Sequence, residues 1–545
     1  MTAPPDHPDA CDQAQRWRAT GVYGDVTLPQ AILATSIAQS ELPVVFQNAM
    51  RRTVLSLGQL ADRVRRCATA FRSLGVGPGD VVAVQVPSWV ESVVAQAAAL
   101  LVGAVLVPVV HIYGPRELGF ILRESRARLL VTPDRLGRRD YLADLLRIGG
   151  CPDLEFIVVI GAAVPDGCIG WTKLVEGREP ATSLPDGSPD DVCLLVYTSG
   201  TTGEPKGVQH SHNTLLAEMR TQLTGTDPDS VILAAFPSGH VAGTLGLLRM
   251  LIHGKPHIVM DTWDAATAAR LIEEHSVTAT GGTPFFLTTL LDLAERGEVD
   301  LSSLREYGVG GASVPPKVVE RAHQHGIAAF RAYGSSEHPT ISGGSASDAL
   351  DKRMHTDGRL VADVEVRIVN DTLRDLPPGE EGEVLSRGPE LFVGYRDPAL
   401  DDGVFLPGGW FRTGDVGTLD SEGYLIITDR RKDIIIRGGE NLSSKEIEDV
   451  LVEHDAVADV AVVAAPDPVY GERVCAFVVL RPEATLSLAD VRAHFSSVGI
   501  TRHKTPERLE IVDSLPRTAT GKTRKAGLRQ RLHPPAGAAT RGVTA

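Results

Sequence analysis

One stretch limits what this chain can build: Leu194-Leu195-Val196-Tyr197-Thr198-Ser199-Gly200-Thr201-Thr202-Gly203-Glu204-Pro205-Lys206-Gly207-Val208. Its first half is an unbroken apolar run, the pattern of a short buried strand. Its second half has almost no side chain to bury and cannot join a core. It offers backbone N–H groups, hydroxyls and one ammonium, Lys206. That set suits a ligand rich in acceptor oxygens, and a polyphosphate is expected. A flexible Gly/Thr surface loop is the plainer reading, and the strand in front of it weighs against that. A Walker A loop fails on spacing. Counted from Gly200, it needs Gly at 205 and Ser or Thr at 207, where this chain has Pro205 and Gly207.

A buried strand running into a ligand loop belongs in α/β layers, and the flanking sequence agrees. Strand-like runs at 81–86, 104–110, 129–132, 156–160, 192–197 and 231–235 alternate with helical patterns at 89–102, from 212 and at 264–275. This is the signature of largely parallel sheets. Ser56 and Gln59 make a capping box, behind which Leu57, Leu60, Val64, Cys67, Phe71 and Leu74 recur at helical spacing. Ser92–Val110 carries no charge and is long enough for a bilayer. Its Gln96, Gly103 and Pro108 split it into a helix and a strand, so a buried βαβ piece is expected and no membrane span.

From about 362 the texture changes to period-two alternation and Gly-bounded short strands, read as a small antiparallel β-barrel or sheet over about 362–428. The charged segment Thr428-Asp429-Arg430-Arg431-Lys432-Asp433 then suggests a domain boundary. Beyond it, a helix at 444–453, strands at 458–464 and 474–480, a helix at 487–498 and a strand at 508–512 make a compact α+β unit. With 545 residues, more than one core is expected. The fold class is therefore α/β. A large N-terminal domain of layered sheets plus the small β-barrel spans 17–431, and a small, mobile α+β C-terminal domain spans 432–533. Residues 1–16 and 534–545 are expected to be disordered.

Net charge is −15, from 54 basic and 69 acidic residues, which argues against a nucleic-acid surface. An anionic ligand must then be held by local donors. The six cysteines are scattered without a C-x-x-C pair, which fits a reducing compartment and no zinc site. Met1–Gln15 lacks the apolar core of a signal peptide, so a cytoplasmic location is expected.

Three further clusters carry chemistry. Tyr333-Gly334-Ser335-Ser336-Glu337 puts an aromatic ring, a close backbone approach, hydroxyls and a carboxylate in one turn. Trp410-Phe411-Arg412-Thr413-Gly414-Asp415 sets one carboxylate behind a Gly turn, as proteins often hold a ribose, and Arg430 is placed to reach the same sugar. Pro516-Arg517-Thr518-Ala519-Thr520-Gly521-Lys522 repeats the hydroxyl–glycine–lysine style of the opening stretch. A polar turn, a turn aspartate and a solvated lysine are the plain readings of the three taken singly.

Taken in order, these motifs resemble the adenylate-forming superfamily of acyl-CoA synthetases, aryl-acid ligases, amino-acid adenylation domains and beetle luciferases. The resemblance covers about 45–530. It includes Gly310-Gly311-Ala312, the Asp429–Asp433 segment, and Gly438-Gly439-Glu440-Asn441. It implies ATP, Mg²⁺ and CoA as cofactor and co-substrates, and activation of a carboxylic acid to an acyl-adenylate followed by thioester formation. A stand-alone enzyme loading an acyl-carrier protein is the alternative, and a homodimer stays open.

Carried over position by position, Thr198, Ser199, Gly200, Thr201, Thr202, Gly203 and Lys206 would bind the β- and γ-phosphates. Gly311, Ala312 and Tyr333 would line the adenine slot, and Gly334 is a further cofactor-binding residue. Ser336, where the family usually has Thr, would lie near the α-phosphate, and Glu337 would hold Mg²⁺. Asp415 with Arg430 would take the ribose. Lys432 falls at the hinge, Gly438 and Gly439 flank the pantetheine tunnel, and Lys522 is the lysine of adenylation. His240 and Gly310 would border the acyl pocket. Arg437 stands where a small residue is common, either meeting the CoA phosphates or narrowing the tunnel. Ala234–Ser238 has no acid to hold an amine, so an α-amino acid is not expected. Val241 follows His240 where aryl-acid ligases tend to have Asn, which suggests an apolar acyl group. The finer likeness is to fatty-acyl and alicyclic-acid CoA ligases of actinobacterial type.

Overall fold

The computed structural model describes residues 8–49, 51–198, 205–431, 433–437, 440–467, 470–498, 504–518 and 521–532. Contacts divide the chain into two compact units. The first is Met1–Val366 with Ser386–Arg412, and the second is Arg367–Leu385 with Thr413–Ala545.

The first unit is built on two large sheets. In the eight-stranded sheet the order is Gly394–Tyr395, Lys206–Ser211, Val192–Thr198, Val105–Pro108, Val81–Val84, Leu129–Pro133, Phe156–Ile160, Ile169–Gly170. From Val192–Thr198 to Ile169–Gly170 every pairing is parallel, and the two strands at the other end join antiparallel. Leu129, Leu130 and Val131 are all fully buried. A continuous apolar run of this kind marks a parallel strand covered on both faces. The nine-stranded sheet has parallel strands Ala328–Tyr333, Glu306–Val309, Ala279–Gly282, Ile232–Ala234, His257–Met260 and Pro43–Gln47 in that order, with antiparallel strands at both edges.

Ser92–Val110 is the buried βαβ piece expected. The helix Val90–Leu101 ends at Val102, and Gly103 turns the chain at φ +77° into the strand Val105–Pro108. Among the described residues no helix is long and apolar enough to cross a membrane. The helix Leu57–Ser73 starts at the capping box. Gln59 N–H donates to Ser56 Oγ at 3.2 Å and Ser56 N–H to Gln59 Oε1 at 3.0 Å. Leu57, Leu60, Val64, Cys67 and Phe71 are buried, with Leu74 packed at their edge.

The start of the chain differs from expectation. Residues 8–16 belong to a helix, Pro8–Ala19, where disorder was expected. Trp17 is the reason: it is buried, and a tryptophan removes enough apolar surface from water to order a polar segment. Arg16 lies 4.6 Å over its ring and pairs with Glu365 at 2.7 Å. Residues 1–7 and 533–545 lie outside the described residues.

In the second unit the long hairpin Val457–Asp467 and Gly471–Leu480 forms the centre of a sheet completed by Ile435–Arg437, Glu440–Leu442 and Arg508–Ile511. Side chains alternate across it. Val462, Val474, Ala476 and Val478 pack with Ile447, Leu451, Val491 and Phe495, from the helices Ser444–Val452 and Leu488–Val498. Val463, Cys475 and Phe477 pack with Leu515, Leu528 and Leu532 on the opposite face. The break expected after Arg431 does not coincide with the division by contacts, and hydrogen bonding explains why. Ser443 Oγ donates to Thr428 O at 3.1 Å, Ser444 N–H donates to Asp429 Oδ2 at 2.6 Å, and Arg431 pairs with Glu383 at 2.9 Å. These bonds tie the strand Leu425–Arg430 to the start of the helix Ser444–Val452.

Candidate functional site

In the first unit the opening stretch is a β-hairpin. Strand Val192–Thr198 pairs antiparallel with Lys206–Ser211, and Thr198 faces Lys206 at the mouth. Ser199, Gly200, Thr201, Thr202 and Gly203 lie outside the described residues. Gly207 is needed because a Cβ there would stand 3.0 Å from both Arg396 Cβ and Leu195 Cδ1. Behind the hairpin, Tyr197 Oη donates to Glu124 Oε2.

The strands of the nine-stranded sheet deliver the next group at neighbouring carboxyl ends, the edge where open α/β sheets bind ligands. Gly310 and Gly311 follow Glu306–Val309, and Tyr333 ends Ala328–Tyr333 on the adjacent parallel strand. Gly311 has φ +76°, a left-handed value that favours glycine. Gly310 lies so close to Ala332 O that a Cβ would be 2.9 Å from it. Ala312 follows in the same turn. His240 caps the helix Val241–His253, its Nδ1 accepting Ala242 N–H at 3.3 Å. The loop carrying it is fixed by Ser238, whose N–H donates to Ser88 Oγ at 3.1 Å and whose carbonyl accepts Thr244 Oγ1 at 2.9 Å.

The turn after Tyr333 is closed by Ser335 N–H donating to His338 O at 2.9 Å. A Cβ on Gly334 would run into the Pro339 carbonyl. Gly334→Ala is therefore expected to lower stability by about 1–3 kcal/mol, as overpacking does. A shift in the urea midpoint checks this. His210 holds the turn from below: its Nε2 lies 2.8 Å from Ser336 O, and a carbonyl can only accept, so Nε2 carries the proton. Burial pushes the His210 imidazole down to about 4, leaving it neutral at pH 7.

Glu337 is gripped at both ends. Phe392 N–H donates to its carbonyl and Tyr395 Oη donates to Oε1, each at 2.8 Å. The Lys206 ammonium lies 5.0 Å over the ring of the same Tyr395. The structure thus brings Lys206 and Glu337 to the same tyrosine, with Ser336 beside Glu337 in the chain and Tyr333 at the start of the turn. Among the described residues no group of three His, Cys, Asp or Glu side chains could hold a metal. Among the described residues only Oε1 of the Glu337 carboxylate takes a protein hydrogen bond, which suits Mg²⁺, an ion that prefers one or two carboxylates plus phosphate oxygens and water.

Tyr395, Phe392 and His210 were not singled out by the sequence. The available signal was thin. Leu391-Phe392-Val393-Gly394-Tyr395 reads as a short core strand, and only its pairing with the lysine strand reveals the contact.

Behind the turn lies a buried polar group. His338 Nδ1 meets Ser386 Oγ at 2.9 Å, while its Nε2 stands 4.0 Å from Glu390 Oε2. Burial pushes the imidazole down to about 3 and raises the Glu390 carboxyl well above the usual range, so burial disfavours the charged form of each.

In the second unit Asp415 follows Gly414 (φ +72°) on the strand Trp410–Leu419, opposite Arg430. Arg430 Nε lies 2.9 Å from Asp415 Oδ1. Asp415 is nearly buried, and its N–H donates to Thr413 Oγ1 at 3.1 Å. Lys522 follows Gly521 (φ +81°) in a turn closed by Thr518 N–H donating to Lys522 O at 2.8 Å. Three residues on, Lys525 is buried against Glu448 and Ser444 Oγ, each at 2.8 Å, which anchors the helix Lys525–Leu532. Lys432, Gly438 and Gly439 lie outside the described residues. Arg437, left open above, is engaged inside its own unit. It forms a two-pronged pair with Glu507 at 2.8 and 2.9 Å and lies 4.1 Å over the Tyr470 ring.

A family model described as AMP-binding enzyme matches residues 37–396, and one described as AMP-binding enzyme C-terminal domain matches 446–522. The medium-chain fatty-acid–CoA ligase of Escherichia coli (strain K12) is 35% identical over 523 residues, 94% of this chain and 92% of that protein. A methyl-dioxo-octahydroindenyl-propanoyl:CoA ligase of Rhodococcus jostii (strain RHA1) is 34% identical over 520 residues, 92% and 98% of the two chains. The crystal structure of the anthranilate CoA ligase AuaEII in complex with anthranoyl-AMP matches with a TM-score of 0.84 at 25% identity, covering 93% and 97% of the two chains. With a family match over most of its length, and relatives at this identity along nearly all of it, the chain belongs to the AMP-binding enzyme family.

Proposed function

We propose that this protein activates an apolar carboxylic acid of medium size with ATP, releasing pyrophosphate, and passes the acyl group from the acyl-adenylate to CoA. The observation that carries the reading is the Lys206–Tyr395–Glu337 group, built at the mouth of a hydroxyl- and glycine-rich hairpin in a chain of this family.

The chemistry needs these groups. A carboxylate has no leaving group better than oxide. When its oxygen attacks the α-phosphorus of ATP, pyrophosphate departs and the acyl carbon gains AMP as a leaving group. Two anions must first be brought together, and negative charge then builds on the α-phosphoryl oxygens. Lys206 and the hairpin's donors offset the charge of the departing pyrophosphate. Glu337 would hold Mg²⁺, which neutralises polyphosphate charge when bound. Asp415 accepts the ribose hydroxyls, and Arg430 fixes its carboxylate. Lys522 supplies positive charge where the carboxylate meets the phosphorus. In the second half-reaction the CoA thiolate attacks the acyl carbon and AMP leaves.

The acyl class follows from what surrounds His240. No acid in Ala234–Ser238 can hold an amine, and Val241, Ala242, Gly243 and Thr244 bring no amide to a phenol. The names of the Escherichia coli and Rhodococcus jostii relatives point to the same class of acid. Cytoplasmic work fits the free cysteines at 67, 151, 168, 193 and 475.

The test is a pyrophosphate-release screen over straight-chain, alicyclic and aryl acids, with CoA, with a carrier protein, or with neither. Turnover is expected to be greatest with C6–C12 or alicyclic acids and to yield the CoA thioester. A preference for an amino acid, or thioester formed only on the carrier protein, would overturn the reading.

A further inference from the structure

Lys206 and Glu337 face a problem that opposite charges at one ligand site always face. Left in reach of each other they would form an ion pair, and neither would then be fully available to a phosphate or a metal. Among the described residues no salt bridge joins them, and each meets Tyr395 instead. The side chain between them is Tyr395, which meets the lysine with its face and the carboxylate with its hydroxyl.

That placement is fixed from several sides. Tyr395 is 3% exposed. Its strand pairs with the lysine strand in the register Val208↔Tyr395 and Gln209↔Gly394. Its N–H donates to Asp401 Oδ1 at 2.9 Å, and its carbonyl accepts Gln209 Nε2 at 2.9 Å. Its ring packs edge-to-face on Phe392 at 4.9 Å, and Phe392 itself donates to the Glu337 carbonyl. One five-residue segment thus sets the backbone of Glu337, its carboxylate, and the resting place of Lys206. An ammonium over a ring face is attracted by the π-cloud without being neutralised by it. A phenol donating to one carboxylate oxygen orients the other without cancelling the charge.

We propose that Tyr395 is a positioning residue that works as a spacer: it holds the Glu337 carboxylate oriented through its hydroxyl and keeps Lys206 off that carboxylate through its ring. This rests on the roles given above to Lys206 and Glu337.

Two variants separate the two halves of the claim. Tyr395→Phe keeps the ring and the packing and loses only the hydroxyl. Its apparent Mg²⁺ requirement in pyrophosphate release is expected to rise about 10-fold or more, as for other partners that orient a metal ligand. Binding of Mn²⁺ in the presence of ATP, read from the free Mn²⁺ EPR signal, should weaken in parallel. Its melting temperature and its rate of thioester formation from supplied acyl-AMP should stay near wild type. Tyr395→Leu removes the ring as well, so its KM for ATP is expected to rise at least several-fold beyond that of Tyr395→Phe. A Tyr395→Phe enzyme with unaltered Mg²⁺ and Mn²⁺ dependence removes the orienting role. Equal ATP KM values for the two variants remove the spacer role. A comparable loss in the acyl-AMP reaction would show a merely structural residue. If wild-type protein releases no pyrophosphate with any acid, the proposed function has failed rather than this inference.

Discussion

Lys522→Ala is expected to lower acid-dependent pyrophosphate release by about 10²–10³-fold, the loss typical of removing one group that stabilises developing charge. The protein should stay folded. The Lys522 turn is closed by backbone and Thr518 contacts, and the helix that follows is anchored by Lys525, so the alanine variant keeps its framework. Thioester formation from supplied acyl-AMP and CoA is expected to fall by less than about threefold, since no phosphorus is attacked in that step. The two half-reactions are measured separately, by pyrophosphate exchange and by loss of the CoA thiol. An equal loss in both would mean that Lys522 binds AMP in every state instead of acting on the first transition state. Lys525→Ala is the contrasting case. It leaves Glu448, which burial already holds above the usual carboxylate range, without its cation, and so should cost stability before it costs chemistry.

What could be read in advance was what neighbours in the chain decide. The cap at Ser56 and Gln59, the apolar stripe behind it, and the division of Ser92–Val110 at Gly103 depend on residues a few positions apart. The strand Val192–Thr198 was legible for the same reason, as an unbroken apolar run, although its antiparallel partner Lys206–Ser211 went unread. The partners of Lys206 and Glu337 were not, because Tyr395 reaches them only through strand pairing across nearly two hundred residues. His210 was hidden in another way. A lone histidine beside a strand gives no sign that the Ser336 carbonyl will need its Nε2 proton. The helix Pro8–Ala19 was misjudged because composition averages over a segment, whereas a single buried Trp17 decides whether it packs. The charged segment at 428–433 looked like a boundary by composition, yet Asp429 is spent on the N–H and hydroxyl of Ser444.

The largest effect on stability is expected at Arg249. Glu218, on the helix His212–Arg220, is fully buried, and its Oε1 accepts Arg249 Nη2 and Thr340 Oγ1, the latter at 2.8 Å. Burial raises the Glu218 carboxyl above its ordinary value, and Arg249 pulls it back down. Arg249→Met leaves that carboxylate buried and unpaired, which typically costs about 3–5 kcal/mol. The pH dependence has a definite sign. A carboxyl whose folded value lies above its unfolded value binds its proton more tightly when folded. The stability it contributes is therefore present at low pH and is lost as pH rises through the folded value. Losing Arg249 moves that value further up. The gap between variant and wild type in urea denaturation should accordingly be wide at pH 8 and narrower at pH 5. Adding Glu218→Gln to Arg249→Met should recover much of the loss at pH 8, because a neutral amide has no charge to leave unpaired. A gap of the same size at both pH values, or a double variant no better than the single one, would assign the loss to packing of the arginine stem and not to the charge it faces.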